Sequence, residues 1–430
     1  MKVPPAWRVY LLGVSLCVAL TFCSRNLDDR GGPDFMASLV LAGIVYLLAV
    51  REFFATPIFS RRVVVIGLVL AAVWNIEFLR LPPGADDDIH RYVWDGRLQR
   101  LGYNPYLVVP NNPAIQGLHT AETRTLNNPD LPSPYPAGAQ LFFRGVTAIQ
   151  ESVFALKVAF VVCEFAIVFV LFDTLRCAGR GAHLVLAYAW NPLLAVEVAG
   201  SGHVDIVGTL LLVVSAAALV RRWRAVAAVG LALAIAVKFL PIVLLPLYWK
   251  RVRIRDAALA VAVVGLMYVP FLNHERIPIG SLGAYVQSFR FNGPIFAILA
   301  QVAPPWFVAG LAVLAGFATA AWFRSTAAER SPGQFAWPMA AALLFAPAVF
   351  PWYFLWLLPF LMSASTLLIS VWSVSSILTY VQWHQRALGR PWGSLPGWVI
   401  LLEYGCVAIA AAMFLLPRVT RPAPPRDSNC

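Results

Sequence analysis

The stretch "GADDDIHRYVWDGRLQRLGYNPY", residues 84–106, determines how the rest of the chain is interpreted. It places three carboxylates in a row, Asp86, Asp87 and Asp88, directly after a long and mostly apolar N-terminal segment. A mixed-charge segment follows and stops at a Gly and an Asn-Pro pair. Ionisable groups are costly inside a membrane protein, so a concentration of them marks a place where chemistry or binding is expected.

The composition is that of a polytopic membrane protein. Of the 430 residues, 60% are hydrophobic and 13% are charged, and the mean hydropathy is +0.72, which excludes an ordinary soluble domain. The first apolar run, residues 7–22, has a short basic front but no A-x-A-like cleavage site. More apolar runs follow it, so we expect a retained helix instead of a removed signal peptide. The six Cys residues lack metal-ligand spacing and indicate no disulfide framework.

Apolar segments long enough to cross or enter the hydrocarbon core recur along the chain and predict an all-α bundle. Pro241 and Pro246 lie inside the segment 225–249 and predict two half-helices that meet near Lys238, and 352–382 is long enough for two short helices. We therefore expect about 12–14 spans. The predicted helices are 7–24, 35–50, 62–80, 153–172, 182–199, 204–220, 225–249, 256–272, 304–323, 335–349, 352–382 and 397–417.

Lys and Arg concentrate in short clusters between the apolar runs, a pattern typical of cytoplasmic loops. The formal net charge of +12 therefore indicates membrane topology and not nucleic-acid binding. With the cluster at 51–62 inside, we expect the second helix to be a re-entrant or hairpin pair and the loop 81–152 to face outward. Residues 1–417 form one membrane unit, and the Pro-rich tail 418–430 predicts a disordered cytoplasmic segment. The remaining inward clusters are Arg176 and Arg180; Arg221, Arg222 and Arg224; Lys250, Arg251, Arg253 and Arg255; and Arg418, Arg421 and Arg426.

Residues 88–101 of the outer loop predict an amphipathic helix with Asp86 or Asp87 as its N-cap. At 100° per residue, one face within an arc of about 100° carries two carboxylates, a guanidinium and a phenol. The members of this predicted binding face are Asp88, Arg91, Tyr92 and Asp95.

An ionised carboxylate at the start of this helix has the chemistry of a general base. The helix dipole favours negative charge there, and a base must be ionised to accept a proton. Asp88 is the first candidate because it shares its face with Arg91, and Asp87 is the second. A second interpretation is that these acids cap a solvated loop helix, with the nearby aromatic residues as interface anchors.

The second half of the loop, "NNPDLPSPYPAGAQLFF" at 127–143, is rich in proline. Each Pro fixes its own φ and biases the preceding residue away from helix, so the path is extended and rigid. We expect Tyr135 and Gln140 to be held in place as binding residues. The alternative is a plain Pro-rich connector.

Further polar residues stand at membrane depth, where ionisable groups are functional candidates. In "NPLLAVEVAGSGHVDIVGTLLL" (191–212), His203 and Asp205 predict the polar lining of an outward cavity; a metal site is the alternative, although too few ligands cluster there. Lys238 in "VKFLP" needs an anionic partner, either a substrate phosphate or an internal salt bridge. Arg290 and Asn292 in "VQSFRFNGPIF" (286–296) are binding candidates on a predicted outer loop, or interface anchors.

Five short motifs in this order resemble the polyprenyl-phosphate-sugar-dependent membrane glycosyltransferases of the GT-C superfamily, in particular their bacterial mannosyltransferase-like branch. One departure is His90, which stands where Tyr is expected. The motifs are DDI-x-RY-x-WDG at 87–96, G-x-NPY at 102–106, YP-x-x-AQ at 135–140, GH-x-D at 202–205 and K-x-x-P at 238–241.

The resemblance implies a hexose, mannose by default, carried on a polyprenyl phosphate at the outer face of a bacterial plasma membrane. An acid of the outer loop, Asp88 or Asp87, would deprotonate an acceptor hydroxyl, which attacks the anomeric carbon with inversion. Lys238 would hold the departing phosphate, and no metal or other cofactor is expected. The acceptor is a glycan, a glycolipid or a protein. The rival hypothesis is a transporter or flippase for an anionic lipid, but paired repeats, which transporters often show, are not visible here.

Overall fold

The computed structural model describes residues 6–84, 87–273, 278, 280–326, 331–393 and 395–415. Within these ranges the chain is helical and forms no strand; an isolated bridge joins Phe291 and Ala348. The predicted all-α fold is confirmed. The α-helices are α1 (Trp7–Arg25), α2 (Pro33–Ala55), α3 (Arg61–Leu79), α4 (Asp88–Arg100), α5 (Ala137–Ile149), α6 (Val153–Cys177), α7 (Leu186–Ala189), α8 (Asp205–Val220), α9 (Arg224–Val237), α10 (Leu245–Tyr248), α11 (Ile254–Tyr268), α12 (Leu282–Ser288), α13 (Pro294–Leu299), α14 (Pro305–Thr326), α15 (Gly333–Leu344), α16 (Leu367–Ser375), α17 (Val381–Ala387) and α18 (Gly397–Leu415).

The second helix corrects one prediction. α2 is a single unbroken helix of 23 residues, long and apolar enough to cross a membrane, and not a re-entrant or hairpin pair. Its only Pro stands at the first helical position, where no backbone hydrogen bond is lost, so nothing interrupts the helix. Three consecutive spans then put 51–62 on the side of the N-terminus and the loop after α3 on the opposite side. The positive clusters favour this arrangement without any hairpin.

Seven helices of the described residues combine the length and the apolar composition that a membrane span requires. A bent pair, Ala182–Ala189 and Leu194–Gly200, makes an eighth if its 66° break lies within one span. The 12–14 spans expected from the sequence included segments that the structure shortens or breaks, because apolar composition does not reveal where a helix is interrupted. Three shorter apolar helices, Asp205–Val220, Arg224–Val237 and Gly397–Met413, account for part of the difference.

The break predicted near Lys238 is confirmed. α9 ends at Val237, and Lys238 is extended at φ −158° and ψ 142°. A 3₁₀ turn, Leu240–Leu244, and the short α10 follow, each with a Pro in its first turn. Because Pro cannot donate to the helical ladder, the chain restarts here and does not continue as one helix. The freed backbone lies inside the protein beside a cavity, where such breaks are tolerated.

The outer loop is packed against the bundle. Ten of the thirteen residues of α4 are buried, so the interpretation of a solvated loop helix is wrong. α4 lies tightly on α5: a Cβ at Gly96 would stand 2.5 Å from Oγ1 of Thr147 and 2.7 Å from the carbonyl oxygen of Phe143. Sequence periodicity showed a polar face, but it could not show that the loop itself covers that face and satisfies its polar groups.

Candidate active site

A cavity of about 500 Å³ opens where the start of α4 meets the Pro-rich loop and the broken helices. One wall carries the ionisable side chains, which come from the first 240 residues: Asp87, Asp88, Arg91, His203 and Lys238. A second wall adjoins the first through the contacts of Trp352 with His203 and of Tyr353 with Lys238. It is mostly aromatic and comes from residues beyond 280: Tyr285, Phe289, Phe350, Trp352, Tyr353, Trp356, Trp383 and Trp392. Arg386 lies on the same wall, 5.4 Å from the ring centroid of Trp392.

Asp88 presents a carboxylate to this cavity from the first turn of α4. Its Oδ1 accepts a hydrogen bond of 2.6 Å from the Asn127 side chain, and its Oδ2 lies 3.9 Å from Nδ1 of His203. The side chain is 21% exposed, so one oxygen is fixed and the other remains approachable. Burial raises the pKa of the neighbouring Tyr135 phenol well above its usual value, and the Asp88 charge adds to this rise.

Asp87 has a different environment. It stands at the N-cap position of α4, but its carboxylate makes no capping bond to the helix. Both oxygens accept from the guanidinium of Arg30, at 2.7 and 3.0 Å, and Oδ2 also accepts from the Gly84 N–H at 2.7 Å. The side chains of Arg30 and Asp87 are 5% and 4% exposed. Asp87 is therefore held in a buried ion pair, while Asp86 lies outside the described residues.

A buried network of polar side chains behind the cavity holds α4, the Pro-rich loop and α5 together. Asp95 accepts from Nε of Arg91 at 3.1 Å, from the Gln140 amide at 2.9 Å and from the Ser133 hydroxyl. Arg91 also donates to the Leu131 carbonyl at 2.7 Å. Burial raises the pKa of Asp95, against the opposing effect of Arg91. Most polar groups of the helix face predicted to bind substrate therefore hold the Pro-rich loop in place.

Of that predicted face, Asp88 and Arg91 line the cavity, whereas Tyr92 and Asp95 do not. Tyr92 is fully buried and stacks on Phe143 with ring centroids 4.4 Å apart. Tyr135 lines the cavity, as predicted for a residue held by the Pro-rich path, but Gln140 lies behind it. His90 bonds the carbonyls of Glu122 and Gly84 and also lies outside the cavity.

His203 projects into the cavity from a turn that only glycine permits. Gly202 has φ +77°, and a Cβ there would stand 2.4 Å from Cδ1 of Ile89. The His203 ring stacks on Trp352 at 4.1 Å, and its Nε2 lies 2.9 Å from Oε2 of the buried Glu197. Burial lowers the pKa of His203, but the carboxylates of Glu197, Asp88 and Asp205 together outweigh it, so the net shift is upward.

Lys238 has an internal partner. Its Nζ lies 2.9 Å from each oxygen of Asp205, which also accepts from the Trp356 indole at 2.7 Å. The ammonium sits 4.4 Å from the ring centroid of Tyr353, whose hydroxyl bonds that of Tyr285 at 2.5 Å. The internal salt bridge, one of the two partners considered for this lysine, is therefore present. The side chain is still 22% exposed and lines the cavity.

The predicted pair Arg290 and Asn292 lies outside the cavity. Arg290 donates to three carbonyls of its own segment and lies over the ring of Phe296 at 4.6 Å. Asn292 is buried and donates to both oxygens of Glu403, at 3.1 and 2.9 Å. The sequence could not indicate this contact, because Asn292 and Glu403 are 111 positions apart. Among the described residues, no group of three or more His, Cys, Asp or Glu is placed to hold a metal ion.

Several site residues were missed by the sequence prediction. Asn127 contacts Asp88 across 39 positions, and Arg30 contacts Asp87 across 57, distances over which spacing carries no signal. Tyr285, Trp352 and Tyr353 come from the C-terminal half, where the sequence is rich in aromatic residues but matches none of the five motifs.

These features define a polytopic membrane protein, helical in its described residues, in which the Asp88 carboxylate and the ammonium of Lys238 both line one largely aromatic cavity. Residues 21–252, more than half of the chain, match the family described as Alpha-(1->6)-mannopyranosyltransferase, N-terminal domain, and the protein belongs to this family. The resemblance found in the sequence is confirmed, and the enzyme hypothesis prevails over the transporter.

One solved structure is similar to the chain. It is the crystal structure of ArnT from Cupriavidus metallidurans bound to undecaprenyl phosphate, with 13% sequence identity and a TM-score of 0.46. The similarity covers 83% of this chain and 73% of that chain. No curated protein sequence matches the chain.

Proposed function

We propose that the protein transfers a mannose from a polyprenyl-phosphate carrier to an acceptor hydroxyl at the outer face of a bacterial plasma membrane. The family membership supports mannosyl transfer. The α-(1→6) linkage in the family's description supports a 6-hydroxyl as the acceptor group. The observation that carries the proposed chemistry is the Asp88 carboxylate, with Oδ1 fixed by Asn127 and the side chain open to the cavity.

The reaction is a single displacement. The acceptor oxygen forms a bond to the anomeric carbon, its proton passes to Asp88, and the bond from that carbon to the phosphate oxygen breaks. The polyprenyl phosphate leaves with the electron pair. One displacement inverts the anomeric carbon, so an α-linked product requires a β-linked donor. Asp88 acts as the base in preference to Asp87, because both oxygens of Asp87 are engaged by Arg30.

Lys238 is the proposed contact for the leaving phosphate. An ammonium has three donors, and Asp205 occupies it from one side, so the exposed part of the group can still donate to an anion in the cavity. The Tyr285 and Tyr353 hydroxyls lie beside it as additional donors. In this proposal the phosphate binds near the broken helix, and the apolar carrier extends from there into the surrounding bilayer.

Purified protein, a β-linked polyprenyl-phosphate mannose and an acceptor that ends in a mannose 6-hydroxyl test the proposal. We expect release of polyprenyl phosphate and formation of an α-(1→6) product. Asp88→Asn keeps the size of the side chain but cannot accept the proton, so turnover should fall by a factor of about 10² to 10⁴.

Asp130→Asn is the matched control, since Asp130 lies in the same loop, is exposed and does not line the cavity. It should retain normal turnover. Near-normal turnover in a folded Asp88→Asn protein would remove Asp88 as the base. An inactive wild type, with donor and acceptor both present, would count against the proposed donor or linkage.

A further inference from the structure

The buried charges around the site pair almost completely. Asp87 pairs with Arg30, Asp95 with Arg91, and Asp205 with Lys238. Two carboxylates remain, Asp88 and Glu197. Within the described residues, the only cationic group in an ion-pair contact with either of them is His203, which stands between the two.

His203 meets a carboxylate on each side. Nε2 lies 2.9 Å from Oε2 of Glu197, and Nδ1 lies 3.9 Å from Oδ2 of Asp88. A carboxylate close to the ring stabilises its protonated form, and each nitrogen of His203 has one as a near neighbour, although neither contact has hydrogen-bond geometry in this conformation. Trp352 covers one face of the ring at 4.1 Å, so the ring is held in its plane.

The other charged groups packed nearby are already engaged. The carboxylate of Asp205, in α8, also raises the pKa of His203, but less than Glu197 or Asp88 does, and it is bound to Lys238. Lys157 of α6 approaches Gly202, but its ammonium donates to the carbonyls of Phe78 and Leu81. The Glu197 charge contributes to the raised pKa of Arg30, but the Arg30 guanidinium is bound to Asp87. His203 is therefore the group that can place a positive charge next to both Glu197 and Asp88.

We propose that His203 works as an imidazolium, anchored by Glu197, that positions the Asp88 carboxylate and sets the upper pH limit of its action. The inference rests on the proposed role of Asp88 as the base. The gap of 3.9 Å is longer than a hydrogen bond, and such contacts often tighten only in the complex with substrate. Glu197 contributes through His203 and does not line the cavity, so it is a positioning residue.

The sign of the pH dependence follows from the direction of the His203 shift. Because its pKa is raised in the folded protein, the imidazolium is present at lower pH and is lost as pH rises through the raised value. Activity should then fall on the alkaline side. Removal of the Glu197 charge should move this alkaline limb to lower pH by about one unit or more, the usual effect of a close opposite charge.

The first test measures the ring itself. Wild-type protein labelled with ¹⁵N-histidine is titrated by NMR, and the signal of His203 among the six histidines is assigned by its absence in His203→Gln. We expect the wild-type ring to titrate above the ordinary histidine range, and the titration to move down by about one unit or more in Glu197→Gln. A wild-type ring that titrates at or below the ordinary range, or an unmoved titration in Glu197→Gln, would overturn the inference.

The second test is the pH profile of kcat/KM. Glu197→Gln should shift the alkaline limb downward, so that its loss of rate relative to wild type is larger at high pH than at low pH. Glu164→Gln is the matched control, because Glu164 is also a buried glutamate outside the cavity lining, but its side chain accepts from Asn75 and does not contact His203. Neither its profile nor the His203 titration should move.

These measurements separate the two proposals. Full activity in Asp88→Asn would reject the proposed base, while the titration would still report the state of His203. An inactive Asp88→Asn together with an unmoved Glu197→Gln profile would reject only the inference. If Glu197→Gln does not fold, Asp88→Asn removes the other flanking carboxylate, and the His203 titration should fall in that protein; an unchanged titration there would overturn the inference.

Discussion

The ion pair between Arg30 and Asp87 should be the strongest single tie between the outer loop and the N-terminal helices. It joins the segment between α1 and α2 to the residue that precedes α4, with contacts of 2.7 and 3.0 Å. Both side chains are about one-twentieth exposed, at 5% and 4%. Removal of one partner leaves the other charge buried without its counterion, which typically costs about 3–5 kcal/mol.

A double-mutant cycle measures this pair. Arg30→Met and Asp87→Asn should each lower the thermal unfolding midpoint of the detergent-solubilised protein markedly. The double variant removes both charges and should be more stable than either single variant, because a buried pair replaced as a whole often costs little. Because the double variant should be more stable than either single variant, the coupling energy should exceed the cost of one single change and reach at least about 3 kcal/mol, the upper end for residues in contact.

Additive effects in this cycle would refute the reasoning. If the double variant were destabilised by the sum of the single effects, the two side chains would not depend on each other in the folded protein. Arg8→Met is a suitable control, since Arg8 pairs with Glu52 at 3.7 Å and its side chain is 57% exposed. Exposed pairs contribute about 0–1 kcal/mol, so this variant should unfold near the wild-type midpoint.

Three further predictions concern the donor site, the turn and the topology. Lys238→Ala should raise the KM for the donor lipid about tenfold or more by loss of a buried charge-assisted contact, and Lys238→Arg should retain more activity; an unchanged KM in folded Lys238→Ala would leave the lysine with a structural role only. Gly202→Ala should destabilise the protein by about 1–3 kcal/mol, because the backbone at residue 202 has a positive φ that alanine rarely adopts; the thermal unfolding midpoint measures this. Cys introduced at Asn111 should react with an impermeant thiol reagent in intact cells, whereas labelling only after permeabilisation would invert the topology.

The elements predicted best were those with local signals. Sustained apolar runs gave α1, α3, α6 and α14 to within a few residues, because the bilayer requires a fixed length of apolar helix. The loop helix α4 was also predicted, since an acidic start and a Gly stop bracket it. The break after Val237 was visible because Pro cannot continue a helix.

The failures have a common physical cause, which is that long-range partners decide what a polar group does. Lys238 could be assigned an anionic partner from its depth, but not the particular one, Asp205, 33 positions earlier. Arg91 and Asp95 were placed on one face correctly, yet three-dimensional packing committed them to each other and to the Pro-rich loop. Arg290 had no local feature that distinguished a binding arginine from one bound to its own backbone.

The two walls of the cavity come from different parts of the chain, and this has a consequence for how the protein can change. The ionisable wall lies within residues 21–252, the part shared with the family, and the aromatic wall lies beyond residue 280. Exchanges of one ring for another, at Trp383 or Trp392 for example, would reshape the space without altering Asp88 or Lys238, the groups proposed to accept the proton and to bind the phosphate. Selectivity for the molecule that is modified can therefore diverge among related chains while the reaction stays the same.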